Sequence, residues 1–258
     1  MQAHRNRLVS GAVFVCSAVV LLAAWHMAAK ELSPLILPGP GATWARLMRL
    51  ITSGEVARQL WISLRRTVVG FALAYFTALL LGLSMHRQRF VRLLLQPWLM
   101  AVQMVPTVIW LIFAVLWFGI AREKTPIFVV FIVCLPVVLV QIREGLMAIP
   151  QELVDLAALE PMSFVSYAVN VAWPSLRPFL LSAATLGFSF AWRSVVIAEF
   201  IGSNSGLGYQ LSRSYHNLAT DEVFAWALVL IVLMWLWQSL FVERWRYGRE
   251  RTTTYRAL

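Results

Sequence analysis

A row of polar side chains within an apolar segment is the part of this sequence best suited to handling a solute. Ser182, Thr185, Ser189 and Arg193 follow one another at spacings of 3, 4 and 4 residues, so a helix would carry them on one face. A charge in an apolar span is costly and marks a functional site by default, so we expect Arg193 to attract an anion. Two alternatives stay open: Arg193 pairs with Glu199 or lies between subunits, and the hydroxyls serve helix packing.

A second candidate is the acidic segment Arg143–Pro178, which interrupts the apolar sequence. Pro150 and Pro161 enclose Gln151–Glu160, and this spacing predicts a helix of about three turns. Such a helix, with acids beside small residues, fits a groove on a partner protein; a solvated loop helix without a special role is the alternative. The residues that would make this contact are Glu152, Asp155, Ala157, Ala158, Glu160 and Pro161.

A third candidate is the turn Ser205–Gly208, where Gly206 and Gly208 supply unusual backbone angles. We expect this turn on the extracellular side, as part of a gate or loop.

Catalytic and metal-binding chemistry finds little support in the sequence. The four histidines are scattered and no H-E-x-x-H motif occurs. Cys16 and Cys134 fall in apolar segments, which disfavours a disulfide or a metal site. A phosphate-binding loop needs Gly-Lys, whereas Lys30 follows Ala29 and Lys124 follows Glu123. We therefore expect no enzyme, no metal and no cofactor on this chain.

The composition places these candidates in a membrane. Apolar residues make up 60% and charged residues 13% of the 258, against about 25% charged in soluble domains. Six apolar runs are long enough to cross a bilayer, for which a helix needs ~20 residues. Pro106 should break the third run, and Thr43–Leu50 should form a short interfacial helix. The runs are Leu8–Met27, Thr67–Met85, Leu93–Gly119, Pro126–Ile142, Phe179–Ile201 and Val223–Val242, and Gly202–Glu222 between the last two is expected to be a polar loop.

The net charge of +10 comes largely from arginines that flank the spans, such as Arg87, Arg89 and Arg92. This pattern indicates orientation and contact with lipid headgroups rather than nucleic-acid binding. Six spans, with a modest excess of basic residues on one side, predict that both termini are cytoplasmic.

The acidic segment resembles the cytoplasmic loop of permease subunits of bacterial ATP-binding-cassette importers. That loop reads Glu-Ala-Ala, then a glycine, then Ile-x-Leu-Pro. Here Leu156 replaces an alanine and Pro161 replaces the glycine, so the pose of this helix departs from the pattern. The corresponding positions, aligned in register without a gap, are Asp155, Leu156, Ala157, Pro161, Val171, Trp173 and Pro174.

Four further stretches are similar to the taurine, aliphatic sulfonate, nitrate and bicarbonate branch of these permeases. They are Leu37–Thr43, Val105–Ile120, Ala191–Phe200 and Ser205–Tyr209. Glu199 matches a glutamate of this family, for which the resemblance implies a gating or structural role.

The resemblance implies an all-α fold with six transmembrane helices and a cytoplasmic coupling helix, in the bacterial inner membrane. Residues 1–36 would hold the basic head and the first span, and 37–258 the permease core with coupling loop 143–178 and a basic tail. Two copies would form the pathway. Two ABC ATPase subunits, carrying ATP and Mg, would dock on the coupling helices, and a periplasmic or lipid-anchored binding protein would deliver the solute.

The solute itself stays open at this point. A sulfonate, taurine, nitrate or bicarbonate fits the branch, and a vitamin precursor such as a thiamine pyrimidine is the alternative within the same type of importer. A non-transporting membrane scaffold is the alternative from another class.

Overall fold

The computed structural model describes residues 2–152, 163, 166 and 168–239, and only the backbone of residues 2–12, 14, 15 and 168. Every regular element in these ranges is a helix, which confirms the all-α prediction. The elements are α1 (Gln2–Glu31), α2 (Pro40–Thr52), α3 (Glu55–Arg87), α4 (Arg89–Met104), α5 (Thr107–Phe118), α6 (Lys124–Met147), a π-helix (Ala168–Ala172), α7 (Trp173–Gly202), α8 (Leu207–His216) and α9 (Thr220–Trp237).

Four described helices are long and apolar enough to cross a membrane: α3, α6, α7 with the end of the π-helix, and α9. Helices α4 and α5 together could make a fifth span, bent by 100°. The bend lies at Val105 and Pro106, as the sequence predicted, because proline cannot donate the backbone bond that would continue α4. The predicted first span falls within the 30 residues of α1.

The boundaries differ from the prediction in three places. Helix α3 begins at Glu55, twelve residues before the expected Thr67, because its polar first turns bury Gln59, Ser63 and Arg66 instead of exposing them. Helix α6 runs to Met147 and the helical part before α7 begins at Ala168, which shortens the acidic loop from both sides.

The expected polar loop Gly202–Glu222 contains helix α8. Its buried residues, Leu207, Gln210, Ser212 and Ser214, are mostly polar. The hydropathy of the segment is therefore low although one face of the helix is buried.

The contacts divide the chain into two compact units. The first comprises residues 1–58 and 210–232. In it, α2 buries Thr43, Leu47 and Leu50 on one face, so the predicted short helix at Thr43–Leu50 is present. Arg46 on the same helix pairs with Asp221 and Glu222 in the first turn of α9.

The second unit comprises residues 59–209 and 233–258. Its centre is the contact of α3 with α6 and α7, where Ala78, Leu139 and Ala183 belong to one buried cluster. Small residues allow α3 and α6 to approach each other closely. A methyl group added at Gly70 would lie 2.8 Å from the carbonyl oxygen of Ile127 on α6. This packed unit holds the polar groups discussed next.

Candidate functional site

The predicted stripe lies on α7, but its members have different environments. Thr185 donates its hydroxyl to the carbonyl of Leu181 at 2.8 Å, and Ser189 donates to the carbonyl of Thr185 at 3.0 Å. Hydroxyls bonded to their own helix are satisfied without a ligand. Ser182, Thr185 and Ser189 do not line the cavity that Arg193 lines.

Arg193 is exposed and lines a cavity of about 320 Å³ in the second unit. It lies nine residues before the end of α7 at Gly202, or ~14 Å along the helix axis. Its guanidinium forms no hydrogen bond or ion pair within the described part of the chain. The other polar residues of the cavity wall are Gln103, Thr107 and Ser194.

The cavity lies at the break between α4 and α5. Val105 and Thr107, on either side of Pro106, both line it. Broken helices at membrane depth occur where the freed backbone is covered by protein or faces a cavity, and this one follows that rule. The remaining wall is mostly apolar, with Val133, Val137, Phe190 and Ile197 among its residues.

Glu199 pairs with Arg66 and not with Arg193, which answers the alternative left open by the sequence. Nη1 of Arg66 donates to Oε1 of Glu199 at 2.9 Å. The two side chains are 2% and 0% exposed. Ser63 donates its hydroxyl to the other carboxylate oxygen, Oε2, at 2.6 Å. The Glu199 carboxylate is therefore fully buried, and both of its oxygens accept hydrogen bonds from α3.

The same residues of α3 hold the turn Ser205–Gly208. Arg66 donates to the carbonyl of Ser205 at 2.7 Å and to its hydroxyl at 2.8 Å. The amide of Gly206 donates to the side-chain oxygen of Gln59 at 2.7 Å. The amides of Leu207 and Gly208 donate to Ser63 (2.8 Å) and to Glu199 (3.2 Å). The first amides of α8 thus find acceptors, one of them a carboxylate, which suits a helix N-terminus.

The two glycines of this turn are required for different reasons. Gly206 has φ +101°, a conformation that side chains rarely adopt, and a Cβ there would overlap the Glu199 carboxylate. Gly208 lies so close to α7 that a Cβ would overlap the carbonyl oxygen of Val196. The predicted role of glycine as a source of unusual angles is confirmed for Gly206, whereas Gly208 allows a close approach.

Gln59, Ser63 and Arg66 are not among the residues predicted from the sequence, because they precede the expected start of the second span at Thr67. The signal was available: their spacings of 4 and 3 residues place them on one helical face, which continues into Gly70 and Ala74. Ser194, which adjoins Arg193 in the cavity wall, is also absent from the predicted residues. Among the predicted coupling residues, Glu152 lies in the described part, helical and exposed; Asp155, Ala157, Ala158, Glu160 and Pro161 lie outside the described residues.

Comparison with known proteins gives a consistent picture. Residues 70–245 match the model of the family described as "Binding-protein-dependent transport system inner membrane component". A probable ABC transporter permease protein of Brucella melitensis is 28% identical over 250 residues, covering 96% of this chain and 98% of the relative.

Two further relatives are named for their solutes. A putative aliphatic sulfonates transport permease protein of Escherichia coli is 29% identical over 84% of this chain and 82% of the relative. A nitrate import permease protein of Synechococcus elongatus is 27% identical over 79% and 76%.

Among solved structures, an inward-facing form of the MetNI methionine ABC transporter aligns with a TM-score of 0.63 at 18% identity, covering 74% of this chain and 95% of that one. At this identity the likeness concerns the fold.

Removing one partner of the buried ion pair should destabilise the protein strongly. Arg66→Met leaves the Glu199 carboxylate buried and unpaired, a situation that costs about 3–5 kcal/mol. Adding Glu199→Gln should recover part of the loss, because the amide keeps an acceptor for Ser63 and Gly208 without a charge. The midpoint of thermal unfolding in detergent micelles, followed by tryptophan fluorescence, gives the ranking.

The neighbouring Arg65 provides the control. It pairs with Glu123 in an exposed position, with side chains 49% and 57% exposed, and exposed pairs contribute about 0–1 kcal/mol. Equal midpoints for Arg65→Met and Arg66→Met would contradict the importance given to the buried pair.

Gly206→Ala should destabilise more than Gly54→Ala. Both glycines have positive φ, +101° and +74°, so both substitutions introduce backbone strain of about 1–2 kcal/mol. Only at Gly206 does the new methyl group also meet the Glu199 carboxylate, since no atom lies within 4 Å of a Cβ at Gly54. Thermal midpoints of the two variants separate the two effects, and a difference near zero would show that the turn can move away from Glu199.

Proposed function

The chain belongs to the family of binding-protein-dependent transport system inner membrane components, and on this premise we propose that two copies of it form the path of a small anion across the inner membrane. Family membership makes the chain a permease subunit of an ABC importer and implies an ATPase partner and a solute-binding protein. The scaffold alternative is thereby set aside. The nature of the solute, the number of copies and the orientation with both termini in the cytoplasm belong to the proposal.

The observation that carries the anion assignment is the environment of Arg193. It is a cation in the interior of a membrane-spanning helix, it lines a cavity, and it has no ion-pair partner among the described residues. Glu199, the acidic residue of the same helix, forms an ion pair with Arg66. An unpaired cation at this depth is costly, and a bound anion would offset that cost.

The relatives' names support the same class. They mention aliphatic sulfonates, nitrate and taurine, which all carry an anionic group. We propose that the permease binds no cofactor of its own, and that ATP and Mg belong to the ATPase.

Coupling is assigned to residues 151–161 through the resemblance of their sequence. In this proposal, closure of the two ATPases moves the coupling helices and turns the path from inward- to outward-facing. The acids Glu152, Asp155 and Glu160 would contact basic or polar groups of the ATPase groove. Small Ala157 and Ala158 would allow a close fit.

Replacing Arg193 should abolish transport of anions. In proteoliposomes with the ATPase and the binding protein of the native host, Arg193→Gln should lower the initial uptake rate at least tenfold, because it removes the charge that attracts the solute. Arg193→Lys should retain a substantial part of the rate. Arg49→Gln, which removes an exposed charge on α2 outside the cavity, is the control.

Uptake by Arg193→Gln equal to that of Arg49→Gln would refute the role of Arg193. A panel containing taurine, ethanesulfonate, nitrate, bicarbonate and a neutral aminopyrimidine identifies the solute class. Uptake of the pyrimidine alone would refute the anion assignment in favour of a vitamin precursor.

Asp155→Arg should uncouple the ATPase from the permease while leaving the protein folded. The measurement is purification of the tagged permease in mild detergent, with quantification of the soluble P-loop ATPase that accompanies it. We expect the amount of ATPase to fall at least tenfold, and uptake with it, at unchanged expression and thermal midpoint. Glu31→Arg, an equal charge reversal at the exposed end of α1, should change neither quantity. Normal uptake by Asp155→Arg would refute the coupling assignment.

A further inference from the structure

The cavity at the helix break is lined by both polar and apolar side chains, and the two kinds of side chain favour different parts of one solute. Arg193, Ser194 and Thr107 contribute polar groups. Val133, Val137 and Phe190 contribute apolar surface to the same wall. A solute that matches both kinds of lining has a charged head group and an apolar body.

Ser194 is the most specific pointer to a bound head group. Ser194 is 3% exposed and lines the cavity. Its hydroxyl has no hydrogen-bond partner in the part of the chain that the structure describes. Its neighbours Thr185 and Ser189 on the same helix, in contrast, bond to carbonyls of α7. The Ser194 oxygen keeps accessible surface, so water or a ligand can reach it from the cavity. A ligand oxygen in the cavity would satisfy it.

The start of α5 adds hydrogen-bond donors beside the cavity. Its N-cap is Pro106, which provides no side-chain acceptor, so the amides of Thr107 and Val108 have no capping partner. Free amides and the positive end of the helix dipole favour an anion. Together with the Arg193 guanidinium and the Ser194 hydroxyl, they match an oxyanion with several acceptor oxygens.

The cavity also excludes some anions. None of its lining residues, all within the described part of the chain, is acidic, so an ammonium group on the solute would lose its hydration without gaining a partner. Its volume of about 320 Å³ far exceeds the ~10–15 Å³ of such space that one water molecule needs. Nitrate and bicarbonate, with only a few non-hydrogen atoms, would leave the apolar wall uncovered.

We propose that the cavity binds a small organic monoanion with an apolar body and no cationic group, such as an alkanesulfonate, and that Ser194 and the first amides of α5 bind its head group together with Arg193. This inference rests on the proposed function and narrows it: taurine, nitrate and bicarbonate become poor ligands of the permease itself.

Direct binding to the permease–ATPase complex in nanodiscs, without the binding protein, tests the inference. The decisive pair is ethanesulfonate and taurine, which differ only in the ammonium group. We expect ethanesulfonate to bind at least tenfold more tightly than taurine. Affinity should rise about fourfold for each CH₂ added between ethanesulfonate and butanesulfonate, as burial of a methylene against the apolar wall requires.

A serine substitution tests the head-group site. Ser194→Ala should weaken ethanesulfonate about tenfold and leave the dependence on chain length unchanged. Ser84→Ala, which removes a hydroxyl bonded to the carbonyl of Leu80 at 2.8 Å far from the cavity, is the control and should bind like the unmodified protein.

The outcomes separate the two proposals. Equal or tighter binding of taurine, or no gain with chain length, overturns the inference but leaves anion transport through Arg193 in place. Unchanged ethanesulfonate affinity in Ser194→Ala overturns the assignment of Ser194. Binding of a neutral aminopyrimidine, with no anion bound, overturns the inference and the proposed function together.

Discussion

The buried ion pair between Arg66 and Glu199 is the interaction on which the turn Ser205–Gly208 and the start of α8 depend. Burying two charges is expensive, and their attraction offsets the cost only when the remaining hydrogen-bonding groups are also satisfied. Here Ser63 and the amide of Gly208 complete the carboxylate, and Ser205 accepts two bonds from the guanidinium. Nε of Arg66 is the one atom of the pair that is buried without a partner among the described residues. The turn before α8 is thereby fixed by the same contacts that make the pair tolerable.

This arrangement leaves two arginines of the permease in opposite situations. Arg66 is enclosed and neutralised, so its charge acts only within the fold. Arg193, six residues before Glu199 on α7, faces a cavity and lacks a protein counterion among the described residues. Because Glu199, the acid of α7, already pairs with Arg66, it does not neutralise Arg193. One helix thus carries a structural carboxylate and a cation without a counterion among the described residues.

The break at Pro106 connects this electrostatic difference to the shape of the cavity. A continuous span would hide its backbone amides and fill the space beside α7. A span bent by 100° instead exposes the start of α5 next to Arg193 and Ser194. The cavity and the free amides therefore both follow from the helix break at Pro106. A membrane permits unpaired backbone groups only where protein or water, rather than lipid, can contact them.

The sequence by itself determined the four long apolar helices α3, α6, α7 and α9, the break at Pro106, the short helix around Thr43–Leu50 and the need for glycine at Gly206, because hydropathy and backbone sterics act within a few residues. It misplaced the start of α3, since Arg66 is as polar in the sequence as an exposed arginine. Only the tertiary structure decided that Glu199 pairs with Arg66, 133 residues away, and that of the stripe on α7 only Arg193 lines the cavity. Periodicity determines which residues share a face, but what that face meets depends on helices distant in the chain.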